Sequence, residues 1–228
     1  MANTNEPKSA GKLESKFNAF LGAHKKLLVI IAAVIVVAVV ALWIGLSVAD
    51  KNADAAQLRI DNLQKTYMTW STAEDKTSPD ATQAKSDLMA GLQELSGKGG
   101  VSYPVLKATY LLGLVAYEEG AYADALAHFM VVGDRGKDSY LGSLALYNAG
   151  VTSEQLGDMA KALEQYQAVY DRYGADAAES PKALFSVGRL HEANGNGDLA
   201  KAVFQQLADE FAASEYAKLA RSRLIALQ

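Results

Sequence analysis

The side chains that could do chemistry in this 228-residue chain are few and scattered. There is no cysteine, which excludes disulfides, zinc–thiolate sites, thiol catalysis and anchoring through an acylated N-terminal cysteine. The three histidines, His24, His128 and His191, match no metal-ligand spacing. Gly97-Lys98-Gly99-Gly100 lacks the length of a phosphate-binding loop and its closing Ser or Thr. No nucleophile stands beside a base in a catalytic pattern. His24 flanks an apolar run, His128 reads as solvated beside Phe129, and His191 reads as a packed histidine. Glu118-Glu119 and Asp134-Arg135 read as solvated helix faces. The residue types therefore point away from catalysis, cofactors and metals, and toward recognition. A balance of 22 basic and 26 acidic residues argues against nucleic acid as the thing recognised.

The elements that carry these residues begin with an uncharged run from Leu27 to Val48. It holds 22 residues, fifteen of them Leu, Ile or Val, and one hydroxyl, Ser47. At ~1.5 Å per residue it spans roughly the 30 Å hydrocarbon core of a bilayer. Its branched aliphatics favour insertion by roughly 5–9 kcal/mol. Ser47 and Ala49 ahead of Asp50 also fit a small-residue cleavage site, the alternative being a removed signal peptide. Signal peptides have apolar cores of about 7–15 residues, so a retained anchor is the expectation.

Orientation follows from the flanks. Residues 1–26 carry Lys8, Lys12, Lys16, Lys25 and Lys26 against Glu6 and Glu14, a balance of +3, whereas the chain beyond holds 17 basic and 24 acidic residues, a balance of −7. Basic flanks stay cytoplasmic, which places the N-terminus inside and the bulk of the chain outside. In a bacterium the expectation is a single-pass protein of the cytoplasmic (inner) membrane with a periplasmic C-terminal domain, or an extracellular one where there is a single membrane. Within the run, Ala41, Gly45 and Ala49 repeat every four residues, with Ala38 close by. Small residues at that spacing let membrane helices pack closely, although the same residues are common in such helices anyway. Trp43, near the outer end, reads as an interfacial anchor.

Beyond the run the chain repeats itself. The pattern Gly-x6-Gly-x4-Ala-x3-(Phe/Tyr)-x2-(Val/Leu) occurs at Gly113, Gly120, Ala125, Phe129 and Val132. It recurs at Gly150, Gly157, Ala162, Tyr166 and Val169, and at Gly188, Gly195, Ala200, Phe204 and Leu207. The periods are 37 and 38 residues. Each copy reads as a helix pair: first helices over 104–118, 140–155 and 181–193, return helices over 122–133, 158–173 and 197–211. The first Gly allows close approach, and the second stops the first helix as a left-handed residue would. The Ala is small because it faces the contact. The aromatic and the Val or Leu fill the core. Ser180-Pro181 predicts a cap followed by proline, and Asp158 and Asp198 predict caps for return helices. Residues 52–74, with Leu58, Ile60, Leu63, Tyr67 and Trp70, predict a helix continuing from the anchor. Residues 80–96 predict another, and the two together read as a degenerate first repeat. The stretch 97–104 is a loop. A last helix over 215–227, with Leu219, Leu224 and Leu227 inward and Arg221 and Arg223 outward, caps the array.

These residues resemble the tetratricopeptide repeat, a unit of about 34 residues with Gly at its eighth position, Ala at its twentieth and an aromatic at its twenty-fourth. The usual Trp at position four is replaced by Thr109, Leu146 and Leu184, and the usual Tyr at position eleven by Ala116, Ser153 and His191. The terminal Pro is absent. The resemblance implies an all-α fold: a single transmembrane helix, then a tetratricopeptide-like α-solenoid of helix pairs. The expected divisions are a basic tail (1–26), the membrane helix (27–48), a helical linker with the degenerate repeat (49–100), and three repeats with a capping helix (101–228).

In such arrays the first helices line a groove, with position five facing it. Here that position holds Tyr110, Tyr147 and Phe185, and neighbouring groove positions hold Leu114, Val151 and Arg189, then Tyr117, Glu154 and Glu192, with Lys107, Leu144 and Lys182 a turn earlier. Aromatics there suit an apolar or extended peptide, because they offer large contact area at low entropy cost. The alternative for the same aromatics is burial in the core. The long period resembles BamD- and CpoB-type envelope proteins, and the whole layout resembles the YfgM family. The latter resemblance implies a protein-binding scaffold associated with the Sec translocon and a periplasmic isomerase-chaperone; the former implies an adaptor in outer-membrane or cell-wall and division assembly.

Overall fold

Helix limits are written locally, by Ser, Asp and Pro at starts and Gly at ends, and the computed structural model follows them. It describes residues 10–227, with the side chains of residues 10–15, 28, 32, 49 and 50 outside the described set. Nine α-helices and no strand occur among the described residues: α1 (Ala10–Ser71), α2 (Pro79–Gly97), α3 (Tyr103–Glu118), α4 (Tyr122–Arg135), α5 (Tyr140–Gln155), α6 (Met159–Tyr173), α7 (Ser180–Ala193), α8 (Gly197–Glu210) and α9 (Glu215–Ala226). Ser78 caps α2 by accepting from the Ala81 N–H, with Pro79 next in line. Asp158 accepts from the Lys161 N–H at 3.1 Å to start α6, and Ser214 accepts from Ala217 at 3.0 Å to start α9. Each supplies an acceptor to a helix start that has none of its own.

Two caps differ from expectation. Helix α8 starts at Gly197 with Asn196 as its cap, so Asp198 lies inside the first turn, where its charge still complements the helix dipole. Helix α7 is entered from Glu179, and Ser180 is its first residue; the Ser180 hydroxyl instead donates to the Gly174 carbonyl at 2.5 Å. That bond ties α7 to the turn that follows α6.

The chain divides into two units, Met1–Ala55 and Ala56–Gln228. In the first, every large apolar side chain described from Leu27 to Val48 is exposed. This is the one helix among the described residues that is long and apolar enough to cross a membrane.

In the second unit each helix packs on the next in chain order, and the core runs as four successive clusters. Ile60 and Trp70 of α1 meet Leu88, Leu92 and Leu95 of α2 and Leu111 and Val115 of α3. Each later cluster joins a helix pair to an adjacent repeat: Phe129 and Val132 with Leu141 and Ala145, Tyr166 and Val169 with Ala183 and Val187, Phe204 and Leu207 with Ala220. Stability is thus a chain of neighbour contacts, as in any solenoid. The last helix buries Ala217 and Ala220, and packs Leu224 and Leu227 more loosely. Leu219 is exposed, because at about 100° per residue it falls on the opposite side of the helix from Ala217 and Leu224.

The repeat glycines act in two ways. A Cβ on Gly113 would lie 2.7 Å from the Phe129 ring, and one on Gly150 2.5 Å from the Tyr166 ring; Phe204 stands over Gly188 in the same way. The first Gly is therefore the seat of its own repeat's aromatic. The second Gly takes φ of +74° at Gly120, +77° at Gly157 and +75° at Gly195. After it, the N–H groups of Ala121, Asp158 and Asn196 donate five residues back to Ala116, Ser153 and His191. This is the left-handed helix stop that glycine accommodates without strain.

Candidate protein-binding site

Helices α5 and α7 carry four of the seven candidate groove residues, Tyr147, Val151, Phe185 and Arg189. Tyr147 is half-buried, its ring 5.3 Å from that of Tyr166, and the Lys182 Nζ lies 4.0 Å from its ring centroid. Burial pushes the Lys182 ammonium below its usual range, with Glu179 pulling the other way. Burial likewise raises the Tyr147 phenol. Seven residues along from Tyr147, Glu154 accepts from Arg189 Nη2 at 2.6 Å and from the Tyr166 hydroxyl at 2.8 Å. Phe185, also half-buried, sits 5.7 Å from Phe204 and 6.0 Å from Tyr216. Val151 packs half-buried against the third cluster. The result is a surface of aromatic faces and aliphatic edges, with charges already paired within it. Such a surface offers apolar contact and backbone-compatible polar groups, and no free charge of one sign.

The other candidates sit differently. Tyr110 is 6% exposed, its ring 5.6 Å from Phe129 and its hydroxyl accepting from Asn148 Nδ2 at 2.6 Å. It joins two repeats from within, and burial pushes its phenol up to about 12. Leu114 is half-buried between the first and second clusters, and Tyr117 meets Tyr122 edge-on at 5.3 Å. Ala41 and Gly45 are exposed, with nothing within 4 Å of a Cβ on Gly45, and the Ala49 side chain lies outside the described residues.

Several contacts had no signature in the sequence. The stacking of Lys182 on Tyr147, the acceptance of two donors by Glu154, and the Asn148–Tyr110 bond each join residues 12 to 38 positions apart. His128 is half-buried, and that burial lowers its pKa. No group of three or more His, Asp or Glu among the described residues is placed to hold a metal ion. Tyr147→Ala is expected to weaken partner binding roughly tenfold or more, with a smaller effect on stability, because aromatic anchors dominate interfaces and this one is half-exposed. Paired affinity and melting measurements check it; a large fall in melting temperature would instead assign Tyr147 to the core.

Comparison with known proteins agrees with this architecture. Residues 144–175 and 182–214 match the tetratricopeptide repeat. No curated protein matches the chain. Among solved structures, the chain is similar to the nearly identical tetratricopeptide-like repeats of a Podosopora anserina protein described as a kinesin light chain. The TM-score is 0.54 at 9% identity, over 77% of this chain and 86% of that one, a likeness of fold alone. The chain is therefore an all-α solenoid with two stretches that match the tetratricopeptide repeat, a unit that generally serves protein–protein interaction.

Proposed function

We propose that this protein is a membrane-tethered scaffold without catalytic activity, which holds its repeats at the outer face of a bacterial inner membrane and there binds other proteins. The observation that carries this reading is the pairing of a 22-residue apolar run, Leu27 to Val48, whose described large apolar side chains are all exposed, with tetratricopeptide repeats. A long apolar helix with no protein over it needs lipid, because water leaves its apolar surface unfavourably hydrated. The basic residues before the run support a cytoplasmic N-terminus and a periplasmic repeat domain. The aromatic surface around Tyr147 and Phe185 suits extended or unfolded apolar segments, as found where chains emerge from a translocon. The proposed place is therefore beside the Sec translocon, within a periplasmic chaperone network.

Fractionation tests the tether. The protein should stay with membranes through alkaline carbonate, dissolve only in detergent, and lose its repeat domain to protease added to spheroplasts. Recovery of a chain lacking residues 1–49 in the soluble periplasm would overturn the tether.

A further inference from the structure

The stretch of α1 ahead of the apolar run has an order of its own. At about 100° per residue, Phe17, Phe20, Leu21 and His24 fall within an arc of roughly 100°. Lys16 lies just outside one border of that arc, and Lys25 just outside the other. Phe17 is 62% exposed and Phe20 53%, with Leu21 also exposed. The Phe20 and His24 rings lie 4.8 Å apart, tilted, so the aromatic strip runs on from Phe17 to His24. A helix in water gains nothing from such a strip, and among the described residues of this unit no other element covers it.

We infer that residues 16–25 lie in the headgroup layer of an anionic lipid surface, as an interfacial segment joined to the membrane span. The inference rests on reading Leu27 to Val48 as that span. Lipid is the occupant because the strip runs directly into the apolar run, and because lysines border it on both sides. In an interfacial helix the apolar arc enters the acyl boundary, while bordering lysines reach back to phosphates with their aliphatic stems. Lys16 and Lys25, with Lys26 directly after them, give residues 16–26 three positive charges and no negative one. A helix standing upright from Leu27 would carry Phe17 about 15 Å from the apolar boundary. Gly22 lies between, with no atom within 4 Å of a Cβ built on it. Glycine is the weakest helix former short of proline, so the helix can bend there and lay the arc on the surface.

The test uses the full-length protein in lipid nanodiscs. One variant, Phe17→Trp with Trp43→Phe and Trp70→Phe, has its sole indole at 17. A second, Trp70→Phe, keeps its sole indole at 43. In nanodiscs of mixed phosphatidylglycerol and phosphatidylcholine, the indole at 17 should emit to the blue and be quenched by lipids brominated near the headgroup. Both effects should be lost with Lys16→Glu and Lys25→Glu, or in phosphatidylcholine alone. The indole at 43 should be quenched by acyl-chain bromine under all conditions. An indole at 17 that stays red and open to iodide, while that at 43 is quenched, would overturn the inference and leave the span intact. Protection from iodide without quenching by lipid would mean that a second copy covers the strip, and equal quenching in neutral lipid would mean that anionic headgroups are not read; either overturns it. An indole at 43 beyond the reach of acyl-chain bromine would overturn the span and the inference together.

Discussion

Gly150→Leu is expected to abolish cooperative unfolding of the repeat domain, or to lower its stability by on the order of 1–3 kcal/mol or more. A single Cβ at 150 already falls 2.5 Å from Tyr166 Cε1, inside any real contact distance. Three further carbons have nowhere to go but the Tyr166 ring, which is 1% exposed and fixed by its bond to Glu154. Moving that ring disturbs Tyr147 and Arg189, which touch the same groups, so damage passes to the next repeat. Ala162→Leu strikes the same contact from α6, where Ala162 is fully buried. Denaturant or thermal melts would check both. Unchanged stability in both variants would mean that the repeat register is wrong.

A second large effect is expected at high pH. Tyr67, Tyr103, Tyr110 and Tyr166 all ionise with more difficulty in the folded protein than in a free chain, chiefly because burial disfavours the phenolate. For Tyr67 and Tyr166 the neighbouring carboxylates of Glu118 and Glu154 add to the effect. A group whose folded pKa is raised stabilises fully below its unfolded value, and that stability fades as pH rises through the folded one. The window therefore opens near 10 and, for Tyr103 and Tyr110, extends to about 12. Ionising Tyr110 alone within the fold costs about 3 kcal/mol. Domain stability should thus fall steeply above pH 10. Tyrosinate absorbance from these four residues should rise together with loss of helical circular dichroism. Tyrosinate appearing in full near pH 10 with helicity intact would contradict the burial described.

How much of this was legible beforehand depends on the range of the interaction. Gly150, Gly157, Ala162, Tyr166 and Val169 are spaced by one helix pair, and the pair closes on itself, so the spacing alone predicts the elements and their contact. Caps formed within three residues, such as Asp158 with Lys161, were equally readable, whereas Asp198 was displaced because Asn196 and Gly197 already start the helix. Position five of the first helices marks where local reading ends. Tyr110, Tyr147 and Phe185 share a register position but not an environment. Tyr110 is drawn inside by Asn148 of the following repeat, Tyr147 is covered on one face by Lys182, and Phe185 meets Tyr216 of α9. Each outcome depends on what the next repeat or α9 supplies, and Asn148, Lys182 and Tyr216 are not among the positions that the repeat pattern fixes.

The central claim is that the surface around Tyr147 receives other proteins at the membrane. Site-specific photocrosslinking from position 147 in intact cells, with products identified by mass spectrometry, tests it most directly. The account predicts crosslinks to translocon subunits or to chains emerging from them. Crosslinks confined to this protein's own residues would contradict it, and crosslinks to outer-membrane or cell-wall assembly proteins would contradict the placement beside the translocon.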